Sequence, residues 1–139
     1  MRPFVLVIGG TPEEQLSIVE NLEDAGYTAD STETLEGAAD LGIRTQGVVI
    51  ISSLRSVEHF GLAAFRRLQE SLSDPHLILT VPRERVSHLD LPGLNIGQVV
   101  PAPFLLRDLL RAVRRSSSPW FSWRRSLGKK FGGAEQGSG

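Results

Sequence analysis

Few residues of this chain combine the type and the spacing that chemistry demands. Ser52 and Ser53 follow an apolar run and offer hydroxyl nucleophiles, yet no G-x-S-x-G elbow surrounds them. His59, His76 and His88 are the available bases. They fall on a helix-like stretch, a strand start and a loop, so none is placed to take a serine proton and no two share metal-ligand spacing. The chain holds no cysteine, which excludes disulfides, thiolate-ligated zinc, iron–sulfur clusters and thiol catalysis. Gly9-Gly10-Thr11 lies between an apolar run and a helix start, where backbone N–H groups could gather around an anion. Neither G-x-G-x-x-G nor G-x-x-x-x-G-K-[ST] is present, and glycines simply filling a tight turn are the better reading of the segment.

The charge is more informative. The net of −1 conceals 7 Arg and 14 acids in residues 1–106 against 8 Arg and Lys and 2 acids in residues 107–139. A basic tail on an acidic domain points to an anionic surface as the tail's partner. Within that tail Trp120, Phe121 and Trp123 stand beside Arg124, Arg125, Lys129 and Lys130. As a helix, Trp120, Trp123, Leu127 and Phe131 share one face. Such a face suits a partner's groove or self-association, an anionic bilayer interface, or packing back on the chain's own domain. Nucleic acid is a further phosphate-bearing partner, but the acidic domain opposes it.

The elements that must position these residues alternate. Apolar runs at residues 4–8, 48–51 and 77–81 read as strands buried on both faces, with weaker strands at 27–31 and 99–100. Between them lie helical stripes: Leu16, Val19, Leu22 and Ala25; Leu35, Ala38, Ala39 and Leu41; Val57, Phe60, Ala64, Leu68 and Leu72; and Leu105, Leu106, Leu109, Leu110 and Val113. Thr11-Pro12-Glu13-Glu14 carries an N-cap, a proline at the first helical position and a capping box. Residues 83–91 allow a short helix before Pro92-Gly93. Five alternations of strand and helix imply a parallel sheet with helices on both faces. One domain is expected over residues 1–115, with residues 116–139 as a partly disordered tail.

The order of elements resembles the receiver domain of bacterial two-component response regulators over about residues 3–115. Leu22-Glu23-Asp24-Ala25-Gly26-Tyr27 is similar to the family's passage from first helix to second strand. Residues 47–52 stand at its third strand, residues 75–81 at its fourth, and Ala102-Pro103-Phe104 at the Lys-Pro-Phe that closes the fifth. The resemblance implies a flavodoxin-like, doubly wound five-stranded sheet of order 2-1-3-4-5. It also implies a site made of an acid pair, a phosphoacceptor aspartate, a threonine and a lysine. At those positions this chain carries Gly9 and Gly10, Ser52, Thr80 and Ala102, so Thr80 alone keeps its type. Mg²⁺ wants hard oxygen ligands including carboxylate, and a transferring phosphoryl group wants a metal and a lysine to neutralise it.

The expectation is therefore a pseudo-receiver: a non-enzymatic signalling or scaffolding module in the phosphorelay setting, without cofactor or metal. An anion- or nucleotide-responsive switch at residues 9–11 and a peripheral membrane adaptor are the alternatives. The family's fourth helix, fifth strand and fifth helix form its partner and dimer surface. That stretch corresponds to residues 83–115 and offers Arg107, Arg111, Arg114 and Arg115 as contacts, joined by the tail. The apolar run at residues 4–8 is too short for a membrane span and lacks a signal peptide's cleavage region, so the expected location is cytoplasmic, with peripheral membrane contact through the tail as the alternative.

Overall fold

The computed structural model describes residues 3–42 and 47–116. The tail contacts expected from Trp120 to Lys130 lie outside the described residues. Five strands form one parallel sheet: β1 (Phe4–Ile8), β2 (Thr28–Thr32), β3 (Val49–Ser53), β4 (His76–Pro82) and β5 (Gln98–Ala102), in the order β2-β1-β3-β4-β5. The three continuous apolar runs occupy the middle of the sheet, where both faces are covered. The more polar runs become its edges, and edge position is what allows Pro101 inside β5, since its missing N–H breaks no ladder on the open side.

Side chains alternate between two cores. Leu6, Ile8, Ile50, Leu77 and Leu79 pack against α2 (Leu35–Gly42), α3 (Leu54–Phe60) and α4 (Leu62–Ser71), with Phe65 fully buried at the centre. Val5, Val7, Val49, Ile51 and Ile78 pack against α1 (Pro12–Asp24) and α5 (Leu106–Ser116) through Leu22, Leu109 and Val113. Each such side chain withdrawn from water contributes about 1.5–3 kcal/mol.

Four local expectations need correction. The single helix expected across residues 57–72 is two, because Gly61 at φ 97° and ψ 139° breaks it. A Cβ there would meet nothing within 4 Å, so backbone conformation alone selects glycine. On α1 the inward face is Gln15, Ile18, Val19 and Leu22, spaced i, i+3, i+4, i+7, whereas Leu16 is 58% exposed and Ala25 is exposed as well. Leu105 precedes α5 and is 56% exposed. Residues 83–91 yield a 3₁₀ helix, Arg83–His88, and then an irregular strap to β5. Gln69 holds that strap by acting as a strand would: its amide donates to Asn95 O at 2.7 Å and accepts from Asn95 N–H at 3.0 Å.

Candidate functional site

The strands of an open parallel sheet leave a crevice beyond their carboxyl ends. Here a cleft of about 90 Å³ opens there, lined by Gly9, Gly10, Glu14, Ser52, Ser53 and Thr80, with Gln15 and Phe104 also in its wall. Four of the five residues expected at the site are thus brought together. Ala102 is not in the lining; it ends β5 opposite Pro82, and Phe104 stands at that side instead. The register sets Ser52 opposite Ile8 and Ser53 opposite Thr80. Ser52 is buried, and its hydroxyl donates to Ser53 O at 3.3 Å. Ser53 is less buried, and its oxygen caps α3 by accepting from Ser56 N–H at 3.1 Å. It also donates to Ser56 Oγ at 3.1 Å. Both hydroxyls are engaged in local structure.

The turn after β1 is built tightly around its glycines. Gly9 sits at φ 79° and Gly10 at φ 87°, the left-handed region that glycine enters without steric cost. A Cβ on Gly9 would stand 2.8 Å from Ser56 Cβ and still nearer to Ser56 Oγ. Gln15, missed by the sequence reading because glutamine carries no core signal, is buried beneath this turn and donates to Gly9 O and Thr32 O at 3.0 Å each. A polar residue at the i position of an apolar i, i+3, i+4, i+7 face was the available clue.

Charge in the cleft is sparse. Glu14 is the one carboxylate in its lining. The capping box fixes it there: Thr11 Oγ1 donates to Glu14 Oε1 at 3.1 Å and accepts from Glu14 N–H at 3.2 Å. A negative group therefore occupies the helix N-terminus that an anion would seek. Asp30 pairs in register with Leu6 and is exposed, away from the lining. Among the described residues no group of three or more His, Cys, Asp or Glu could hold a metal ion. His76 is buried at the start of β4, while His59 and His88 are exposed on α3 and the 3₁₀ helix. Glu58 and Arg85 form a half-exposed ion pair at 2.8 Å between α3 and the 3₁₀ helix. The hydrogen bond from Arg85, ahead of its charge, holds the Glu58 carboxyl below its ordinary range.

On the other expected surface, Arg107, Arg111, Arg114 and Arg115 are all exposed along α5. The helix is anchored at its far end by Gln98, which donates to Ala112 O and Ser116 Oγ at 2.7 Å each. In place of the family's fourth helix that surface has the short 3₁₀ helix and its strap. No described helix is long and apolar enough to cross a membrane.

Sheet order, alternation of elements and crevice define a flavodoxin-like receiver fold. By sequence the chain matches no protein-family model and no curated protein. By structure it is similar to the receiver domain of the TMAO respiratory system response regulator TorR, at TM-score 0.68 and 22% identity over 88% of this chain and 98% of that one. It is also similar to the receiver domain of the sensor histidine kinase PA1611 from Pseudomonas aeruginosa, which has a magnesium ion in its active site cleft. There the TM-score is 0.64 at 16% identity, covering 83% of this chain and 97% of that one. An adenylate cyclase structure from Rhodopirellula baltica aligns at TM-score 0.70 and 12% identity, covering 94% and 99%. At these identities the likeness is one of fold. The bond before Pro103 is cis.

Proposed function

We propose that this chain is a non-enzymatic signalling or scaffolding module, a receiver-like scaffold that works by protein–protein contact and no longer handles a phosphoryl group. The observation that carries the reading is the approach of Ser56 to Gly9, which leaves no room for a side chain where the first metal-binding acid would project. The rest of the donor set agrees. Mg²⁺ takes near-octahedral oxygen ligands and prefers carboxylate, but Glu14 is committed to Thr11, Ser52 to a backbone carbonyl and Gln15 to two. These residues do not fit a resident magnesium ion, and Ala102 offers no cation toward a phosphoryl oxygen.

The switch reading has less support. A nucleotide-sized ligand needs roughly 300 Å³ or more, well above the cleft's 90 Å³, and Glu14 repels an anion at the turn. The partner surface in this reading is α5 with Arg107, Arg111, Arg114 and Arg115, continued by the basic aromatic segment around Trp120, which could also bring the module to an anionic membrane. The decisive experiment is exposure of the full chain to acetyl phosphate, and separately to beryllofluoride, with Mg²⁺. Intact-mass and fluorine spectroscopy should show no adduct. Stoichiometric, Mg²⁺-dependent modification of an acidic side chain would refute the proposal.

A further inference from the structure

The outer face of α1 combines an exposed leucine with charge of one sign. The helix holds five acids and no basic residue. Glu13, Leu16, Glu20, Glu23 and Asp24 recur at i, i+3, i+7, i+10 and i+11, and so share one side of it. All five are exposed, Leu16 by 58%. These four acids make no ion pair with a described residue. Three of them crowd the C-terminal end. Glu20 repels Glu23 at i+3 and Asp24 at i+4. The last turn holds no basic residue, although the negative pole of the helix dipole favours a cation there. Such a face fits a segment that is both basic and apolar.

The chain carries such a segment, and it starts within reach. Gln98 opens β5 and its amide donates to Ser116 Oγ at 2.7 Å, so α5 ends at the edge of the sheet where the strands begin. α1 ends at that same edge, since Asp24 leads into the parallel strand β2 at Thr28. Both helices pack on one side of the sheet through Leu22, Leu109 and Val113. From Ser116 to Arg124 is eight residues, up to about 26 Å of extended chain. The 13 residues of α1 span about 20 Å. The spacing corresponds as well. As a helix, Trp120 to Phe131 covers the same eleven positions as Glu13 to Asp24, and Arg124 and Lys130 flank the apolar face of Trp120, Trp123, Leu127 and Phe131. Laid antiparallel to α1, Arg124 meets Glu20 and Lys130 meets Glu13, with Leu127 over Leu16. We propose that residues 120–131 dock on the acidic face of α1 within the same molecule, covering Leu16. This rests on the interaction-module reading and adds its regulation: a docked tail keeps Trp120 and its basic neighbours from any other partner until they are displaced.

Both tryptophans of the chain lie in that segment, so intrinsic fluorescence of the full chain reads the contact directly. At low salt the wild type should emit to the blue of free tryptophan and resist acrylamide quenching. About 1 M salt, where charges are screened beyond roughly 3 Å, should remove much of that protection. E20Q/E23Q, at exposed positions that leave the core untouched, should lose it too. L16S should lower the docked-to-free ratio roughly tenfold. E33Q/E36Q, which neutralises exposed acids outside α1, should change nothing. E20R and R124E should each release the tail, and the double exchange E20R/R124E should restore it. Sedimentation velocity should find the protection complete in the monomer. Protection that appears only as dimers form would hand the tail to a second copy and overturns the inference. So do tryptophans as quenchable in wild type as in E20Q/E23Q, and a double exchange that stays released. None of these outcomes touches the functional reading, which falls only if an acid is phosphorylated.

Discussion

Restoring the missing acid should damage the fold before it creates a site. In Gly9→Asp the new side chain must adopt φ 79°, a left-handed conformation that costs an L-residue about 1–2 kcal/mol. Its Cβ would lie 2.8 Å from Ser56 Cβ and closer still to Ser56 Oγ, so Ser56 must move. That movement gives up the Ser53-to-Ser56 hydroxyl bond at 3.1 Å and loosens the α3 cap, worth about 1 kcal/mol. The summed loss is about 2–3 kcal/mol, or roughly 10 °C in Tm for a domain of this size. Urea or thermal denaturation followed by circular dichroism reads it directly. Gly9→Ala should show nearly the same loss, because backbone and contact, not charge, are responsible. In the G9D background Ser56→Ala should recover only part of the loss, since its Cβ remains, and Ser56→Gly more. Calorimetry with Mg²⁺ should still find no binding in G9D. A G9D protein as stable as wild type that binds the ion would refute the reasoning, for it would mean that the cleft merely awaits a carboxylate.

Two further perturbations probe the elements around that cleft. Gln69→Met keeps the volume but abandons Asn95 N–H and O; it should cost about 1–3 kcal/mol and speed amide exchange at Asn95 and its neighbours well beyond the change in the central strands, whereas uniform exchange throughout would deny the strap a local anchor. For the Glu58–Arg85 pair the sign follows from the lowered carboxyl pKa: its contribution is present above the unfolded-state value and is lost as pH falls through the folded one. The Tm difference between wild type and Glu58→Gln should therefore be largest near neutrality, shrink on acidification and shrink again in salt, and a difference that grew in acid would reverse the assignment.

Most of the framework could be read from the chain because it rests on local and binary signals. Continuous β-branched runs located the three inner strands, and Thr11-Pro12-Glu13-Glu14 located the start of α1 with the cap now seen at Glu14 N–H. Errors occurred where one residue outweighed a pattern. The stripe from Val57 to Leu72 is compatible with an unbroken helix, and only the conformation of Gly61 interrupts it. On α1, Leu16, Val19 and Leu22 gave a plausible stripe, but the helix rolls to bury Gln15, because two backbone carbonyls there need a donor.

Those carbonyls explain why the site was less legible than the fold. A sequence shows that acids are absent, but not what occupies the space they leave. In this molecule three glutamines do structural work that hydropathy cannot signal. Gln15 ties the β1 turn to β2, Gln69 binds the strap before β5, and Gln98 fastens the end of α5. All bond to main chain, which side-chain chemistry read along a sequence never displays. Their positions bear on mechanism. A receiver that reports a chemical event at the cleft must let the segments around it change position, and such motion requires breaking whatever holds them. Here the turn after β1 and the segment between β4 and β5 are each held by a buried amide making two hydrogen bonds. A surface kept in one arrangement in this way suits constitutive docking better than switching, in keeping with the interaction module proposed above.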